Sequence, residues 1–89
     1  LRGRIFTFSV NLPDKPGHVV AVSEILAGQN ANVIKLEHNQ FKNLDRFHEV
    51  ELQVTVETNG EEHIRRITEE FAKQGYTIRR INTSEINER

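Results

Sequence analysis

Leu12-Pro13-Asp14-Lys15-Pro16-Gly17-His18 joins an alternating strand to a helix, with two prolines and a glycine framing one acid and one base. Proline suits the first turn of a helix, where its missing N–H costs no intrahelical bond. Gly17 allows the backbone to come close to whatever lies in front of it. The turn is therefore expected to leave N–H donors at a helix N-terminus, the beginnings of a small anion site. Many strand-to-helix joints look alike, so the pattern on either side decides what this one means.

Upstream, Phe6, Phe8, Val10 and Leu12 alternate with Thr7, Ser9 and Asn11, the period of a strand with one buried face. Downstream, Val19, Val22 and Leu26 fall on one stripe of a helix over Gly17–Gln29, which Gly28-Gln29-Asn30-Ala31-Asn32 stops. A second strand follows over Val33–Phe41, with Ile34 and Leu36 inward and Lys35 and Glu37 outward. Asn43-Leu44-Asp45 reads as a hairpin tip, which would set His38 opposite Val50 and His48 opposite Gln40. Val50, Leu52, Val54 and Val56 alternate with Glu49, Glu51, Gln53 and Thr55 until Asn59-Gly60 breaks the strand. Ile64, Ile67 and Phe71 stripe a second helix ended by Gly75, and Tyr76–Ile81 forms a last short strand before a polar tail.

The order β-α-β-β-α-β, in two similar halves, predicts the α+β ferredoxin-like fold: a four-stranded antiparallel sheet with both helices on one face. In that topology the second and fourth strands are the edges. The second is long and only moderately charged, an association hazard unless covered, and is expected to pair with a second copy.

Length and composition narrow the function. With 89 residues the chain is one domain, its core expected over residues 5–81. Lacking methionine and starting at Leu1, it reads as a piece of a longer protein. A net charge of -1 gives no electrostatic case for nucleic acid or an anionic membrane surface. The outward face of the third strand is acidic, where an RNA-binding sheet needs aromatic and basic residues. No apolar run approaches the roughly 20 residues of a membrane span. Without cysteine there is no disulfide, zinc ribbon or thiol nucleophile, and a cytoplasmic setting is allowed. His18, His38, His48 and His63 lack metal-ligand spacing, so no metal is expected. Glu61 and Glu62 open a helix, where acids complement the dipole. No serine, cysteine or phosphate-loop motif suggests catalysis within the chain.

With this element order, the Asp14-Lys15-Pro16-Gly17 turn and the Asn32-Val33-Ile34 entry to the second strand, the chain resembles an ACT domain, a small regulatory module of amino-acid metabolism. Phe8 through Gly17, Ala31 through His38, Glu49-Val50-Glu51-Leu52 and Thr58 through His63 make it most similar to the C-terminal domains of threonine dehydratases. In related domains ligands bind between two paired copies, touching the first turn of one and the start of the second strand of the other. Carried over by position, the resemblance implies ligand-binding roles for Asp14, the backbone of Lys15, Pro16, Gly17, His18 and Val19, and Asn32 with Val33 and Ile34. It implies an aliphatic amino-acid effector, isoleucine or valine, and a homodimer joined at the second strand. It also implies a catalytic domain elsewhere in the parent enzyme. Pyridoxal phosphate would belong to that catalytic domain, and no cofactor is expected in this one. Leu12 and Asp14 stand where some members carry a histidine and an amide, which favours a second reading: a pairing module that has lost its ligand; an ACT domain of another amino-acid-metabolism enzyme is the further alternative.

Overall fold

A computed structural model describes residues 4–40 and 49–81. Six elements follow one another: β1 (Arg4–Pro13), α1 (His18–Gly28), β2 (Asn32–Gln40), β3 (Glu49–Thr58), α2 (Glu61–Lys73) and β4 (Ile78–Ile81). The strands form one antiparallel sheet in the order β2-β3-β1-β4, so the edges are the two expected from sequence. This is the ferredoxin-like arrangement.

Alternation builds the core. Phe6, Phe8, Val10 and Leu12 of β1 and Val50, Leu52, Val54 and Val56 of β3 are all buried on the helix side. The helices cover them with Val22, Ile25 and Leu26 of α1 and Ile64, Ile67 and Phe71 of α2. The aromatic rings stack through this layer: Phe6 lies 5.2 Å from Phe8, and Phe8 meets Phe71 edge-on at 5.4 Å.

Several boundaries differ from the sequence reading. Ile25 takes the place expected of Val19, which is 38% exposed because the helix is rotated to bring its later turns onto the sheet. In β2 the pairing skips a residue: Val33 faces Val56 and Lys35 faces Thr55. Ile34 is thus the extra residue of a β-bulge rather than an inward one. The bulge leaves Val33 and Leu36 on the helix side, while Lys35 and Glu37 keep the outward face expected of them. His38 pairs with Leu52 rather than Val50, and Gln40 rather than His38 pairs with Val50. A two-residue shift preserves the face of every side chain, so periodicity alone does not reveal it. The hairpin tip, Phe41, Lys42 and His48 lie outside the described residues, as does the tail after Ile81. The last strand starts at Ile78, because Gly75, Tyr76 and Thr77 complete the turn that ends α2.

Both helices end in the same motif. After α1 the Ala31 N–H reaches the Leu26 carbonyl at 3.0 Å and the Asn30 N–H reaches Ala27 at 3.1 Å. After α2 Tyr76 reaches Phe71 at 2.9 Å and Gly75 reaches Ala72 at 3.0 Å. These are Schellman closures around a left-handed residue, glycine in one case and Asn30 (φ 60°) in the other.

Candidate functional site

The turn after β1 differs from the expectation in one physical respect. Pro16 precedes the helix, and Gly17 is its N-cap with φ 101°. Apart from its chain neighbours, no atom of the described residues lies within 4 Å of where a Gly17 Cβ would stand, so glycine serves the left-handed backbone rather than a close approach. The α1 N-terminus has neither a side-chain cap nor an acid in its first turn. Its leading N–H groups lack an intrahelical acceptor, as at any helix start.

The N-terminus of α2 is filled from within. Glu61 and Glu62 occupy its first turn. The His63 ring accepts the Asn59 N–H at Nδ1, at 3.0 Å, and the Thr58 hydroxyl accepts the Gly60 N–H at 3.2 Å. With Nδ1 accepting, the His63 Nε2–H donates to the Gln29 carbonyl, which ties the start of α2 to the end of α1. His63 is 3% exposed. The sequence reading gave it no structural role. Its position three residues after the cap glycine was the signal for this capping role.

Asp14, Lys15, Pro16 and Gly17 are exposed in the turn, and His18 is half-buried at the first position of α1. The His18 ring is engaged: Nδ1 lies 2.9 Å from the Tyr76 hydroxyl, with the rings edge-on at 6.0 Å. The His18 side chain thus ties the turn to the connection before β4. Asn32, Val33 and Ile34 are exposed at the start of β2, where the Asn32 amide donates to Glu57 at 3.3 Å.

Within one chain the two clusters do not meet. Pro13 pairs with Glu49 at the start of β3, and Asn32 pairs with Glu57 near its end. At the rise of an extended strand they lie about 25 Å apart along the sheet. Each cluster carries exposed apolar side chains. Val19 and Val20 of α1 and Val33, Ile34 and Leu36 of β2 are between 38% and 58% exposed, and β2 has a strand on only one side among the described residues. Exposed apolar residues near an open edge are a feature of interaction surfaces.

Other chemistries find little footing. Among the described residues no three His, Cys, Asp or Glu groups are placed to hold a metal ion. None of the described helices is long and apolar enough to cross a membrane. The Glu61 carboxyl is held below its ordinary range chiefly by the hydrogen bond from Arg80, with Arg4 adding to the field. That is an exposed ion pair on the α2–β4 side.

The architecture has known counterparts. No family's sequence profile matches the chain, and no curated protein does. Among solved structures, the ACT domain of GTP pyrophosphokinase from Chlorobium tepidum matches with a TM-score of 0.69 at 14% identity, over 89% of this chain and 99% of that one. Prephenate dehydratase from Streptococcus mutans matches with 0.72 at 18% identity, over 85% of this chain and 40% of that one. A formyltetrahydrofolate deformylase from Pseudomonas putida matches with 0.63 at 13% identity, over 89% and 29%. The chain spans less than half of each of these two enzymes. It is a four-stranded α+β sandwich with one open apolar side, and its fold is that of an ACT domain.

Proposed function

We propose that this chain is an amino-acid-sensing regulatory domain, and that the parent protein is a threonine dehydratase. One observation carries the sensing reading: an uncapped, acid-free helix N-terminus beside an uncovered apolar side. The narrower parentage rests on the sequence resemblance.

Two copies pairing their β2 edges about a two-fold axis run those strands antiparallel. The Asn32 end of one β2 then lies beside the Gln40 end of the other, which is the end of the sheet carrying the Pro13–Gly17 turn. The clusters that one chain keeps apart are thereby brought together, and Val19, Val20, Val33 and Leu36 are covered. The effector's α-carboxylate would take the N–H groups that follow Pro16, where the helix dipole favours negative charge. Its α-ammonium would meet Asp14 of one copy and the Asn32 side-chain oxygen of the other. Its aliphatic side chain would rest on Val19, Val33 and Ile34, which favours isoleucine over valine. A ligand of so few atoms is expected to bind with a Kd of roughly micromolar to millimolar order.

Binding between copies favours one relative orientation and so alters packing against a catalytic domain elsewhere in the parent. Couplings of this kind amount to about 1–3 kcal/mol. Pyridoxal phosphate would belong to that domain, and no residue of this chain is assigned to it. The alternative, a ligand-free pairing module, draws on Leu12: it is fully buried, so the position some relatives give to histidine cannot touch a ligand here. Calorimetry with isoleucine, valine, threonine and serine separates the two. Saturable binding of isoleucine, weaker for valine, supports sensing; no heat with any of the four leaves pairing alone.

A further inference from the structure

The face of the sheet away from the helices carries a feature that the effector reading does not use. Ser9, Asn11, Gly75, Tyr76, Thr77 and Arg79 line an open groove of about 420 Å³ where β1 and β4 meet the α2–β4 connection. Ser9 and Arg79 are direct cross-strand partners, and Asn11 lies two residues along on the same face. Ser9 is 3% exposed and lines the groove.

The lining is rich in donors: three hydroxyls, of which that of Tyr76 is engaged by His18, an amide and a guanidinium. Among the described residues Arg79 is only loosely engaged, with a Glu51 carboxylate oxygen at 4.0 Å, which leaves most of its five N–H groups without an acceptor among them. Glu51 also sets the charge preference. It offsets part of the Arg79 charge and so favours a singly charged guest over a doubly charged one. One wall is fixed from outside, because the Tyr76 hydroxyl is held by His18.

We propose that this groove is a second ligand site, for a small monocarboxylate held by the Arg79 guanidinium with the Ser9 and Thr77 hydroxyls and the Asn11 amide. A planar guanidinium matches a carboxylate in bidentate fashion, which a lysine cannot do. The site needs no second copy of the chain and stands independently of the effector reading.

The test is a titration of the isotopically labelled chain followed by amide NMR. Sodium propionate is the probe, sodium phosphate the second arm, and sodium chloride at matched ionic strength the control. Saturable shifts confined to Ser9, Asn11 and Tyr76–Arg79, with a millimolar Kd for propionate and weaker binding of phosphate, are expected. Arg79→Gln should weaken propionate binding at least tenfold, Arg79→Lys by nearly as much, and Ser9→Ala several-fold. Arg79 is exposed at a sheet edge, so its variants should retain the dispersed spectrum of the folded chain. Shifts that follow chloride equally, or that survive Arg79→Gln, would overturn the proposal. Tighter binding of phosphate than propionate would overturn the choice of ligand. Shifts centred on Gly17–Val19 instead would assign the carboxylate to the effector turn and not to this groove.

Discussion

The two halves of the molecule share a plan and differ in how they finish it. In β1-α1-β2 the helix starts on a Pro-Gly turn without an acid, carries exposed Val19 and Val20, and leads into a nine-residue edge with Val33, Ile34 and Leu36 exposed. In β3-α2-β4 the helix starts on two glutamates and a capping histidine, carries a surface of ion pairs, and leads into a four-residue edge with two arginines. Arg80 also lies over the Phe6 ring at 5.4 Å and bonds Glu61. A short, charged edge resists association, whereas a long apolar one invites it. The second half is closed by its own residues. The first leaves apolar residues exposed beside its edge.

Leu36→Asp puts a charge on the helix side of the open edge and should break the comparison most sharply. It should weaken self-association by at least about 30-fold, the scale of an interface hot spot, while leaving the fold intact. Sedimentation of both proteins over a concentration series checks this. A wild type that is monomeric at tens of micromolar would remove the contrast between the edges.

The two cap glycines sharpen it next. Gly60 adopts φ 127° and ψ -169°, a region left almost entirely to glycine, and Gly17 adopts φ 101°. Gly60→Ala should cost about 1–3 kcal/mol and Gly17→Ala about 1–2 kcal/mol, read by denaturant unfolding. Only Gly17→Ala should also impair isoleucine binding, since only that turn belongs to the proposed effector site.

The histidines give a smaller contrast. His63→Ala removes two part-buried hydrogen bonds of a buried ring and strands the Asn59 N–H, for about 1–3 kcal/mol. His18→Ala loses one half-buried bond to Tyr76, for about 1 kcal/mol. Equal losses from the two would show that His18 is as structural as His63.

The smallest expected effect is one of pH. Because the folded Glu61 carboxyl is held below its unfolded value by Arg80, its contribution is fully present above the unfolded value, near pH 4.5, and is lost as pH falls through the folded one. Glu61 is exposed, so the effect is slight. Glu61→Gln should flatten the acid limb of a melting-temperature profile a little, with no change at neutral pH beyond the loss of the ion pair.

Much of this was legible in the sequence, for identifiable reasons. Strict alternation in β1 and β3 names their buried residues outright, because a side chain of period two has only two faces. The Pro-Gly turn and Gly75 mark helix ends through backbone geometry. β2 was harder: Ile34 sits at a bulge, and one skipped residue reverses the faces that alternation assigns before it. Val19 was misplaced because α1 is apolar on nearly every side, so its pattern does not say which stripe meets the sheet. The capping role of His63 and the His18–Tyr76 tie join residues far apart in sequence or in an unusual cap, and no periodic signal encodes them. For the proposed site, the resemblance nominates both clusters but says nothing of their separation. That follows from register, which places Asn32 and Pro13 at opposite ends of β3.

A mixing experiment tests most directly whether the first half is completed by a second copy. Asp14→Ala and Asn32→Ala each damage one contribution to every site, so neither homodimer should bind isoleucine detectably. In a mixed two-fold dimer one site carries both changes and the other carries none. Calorimetry on an equimolar mixture, after exchange of subunits, should therefore recover wild-type affinity at about a quarter of the total sites, as random pairing requires. If binding is not restored on mixing, or if either variant alone binds as the wild type does, the site is not shared between two copies.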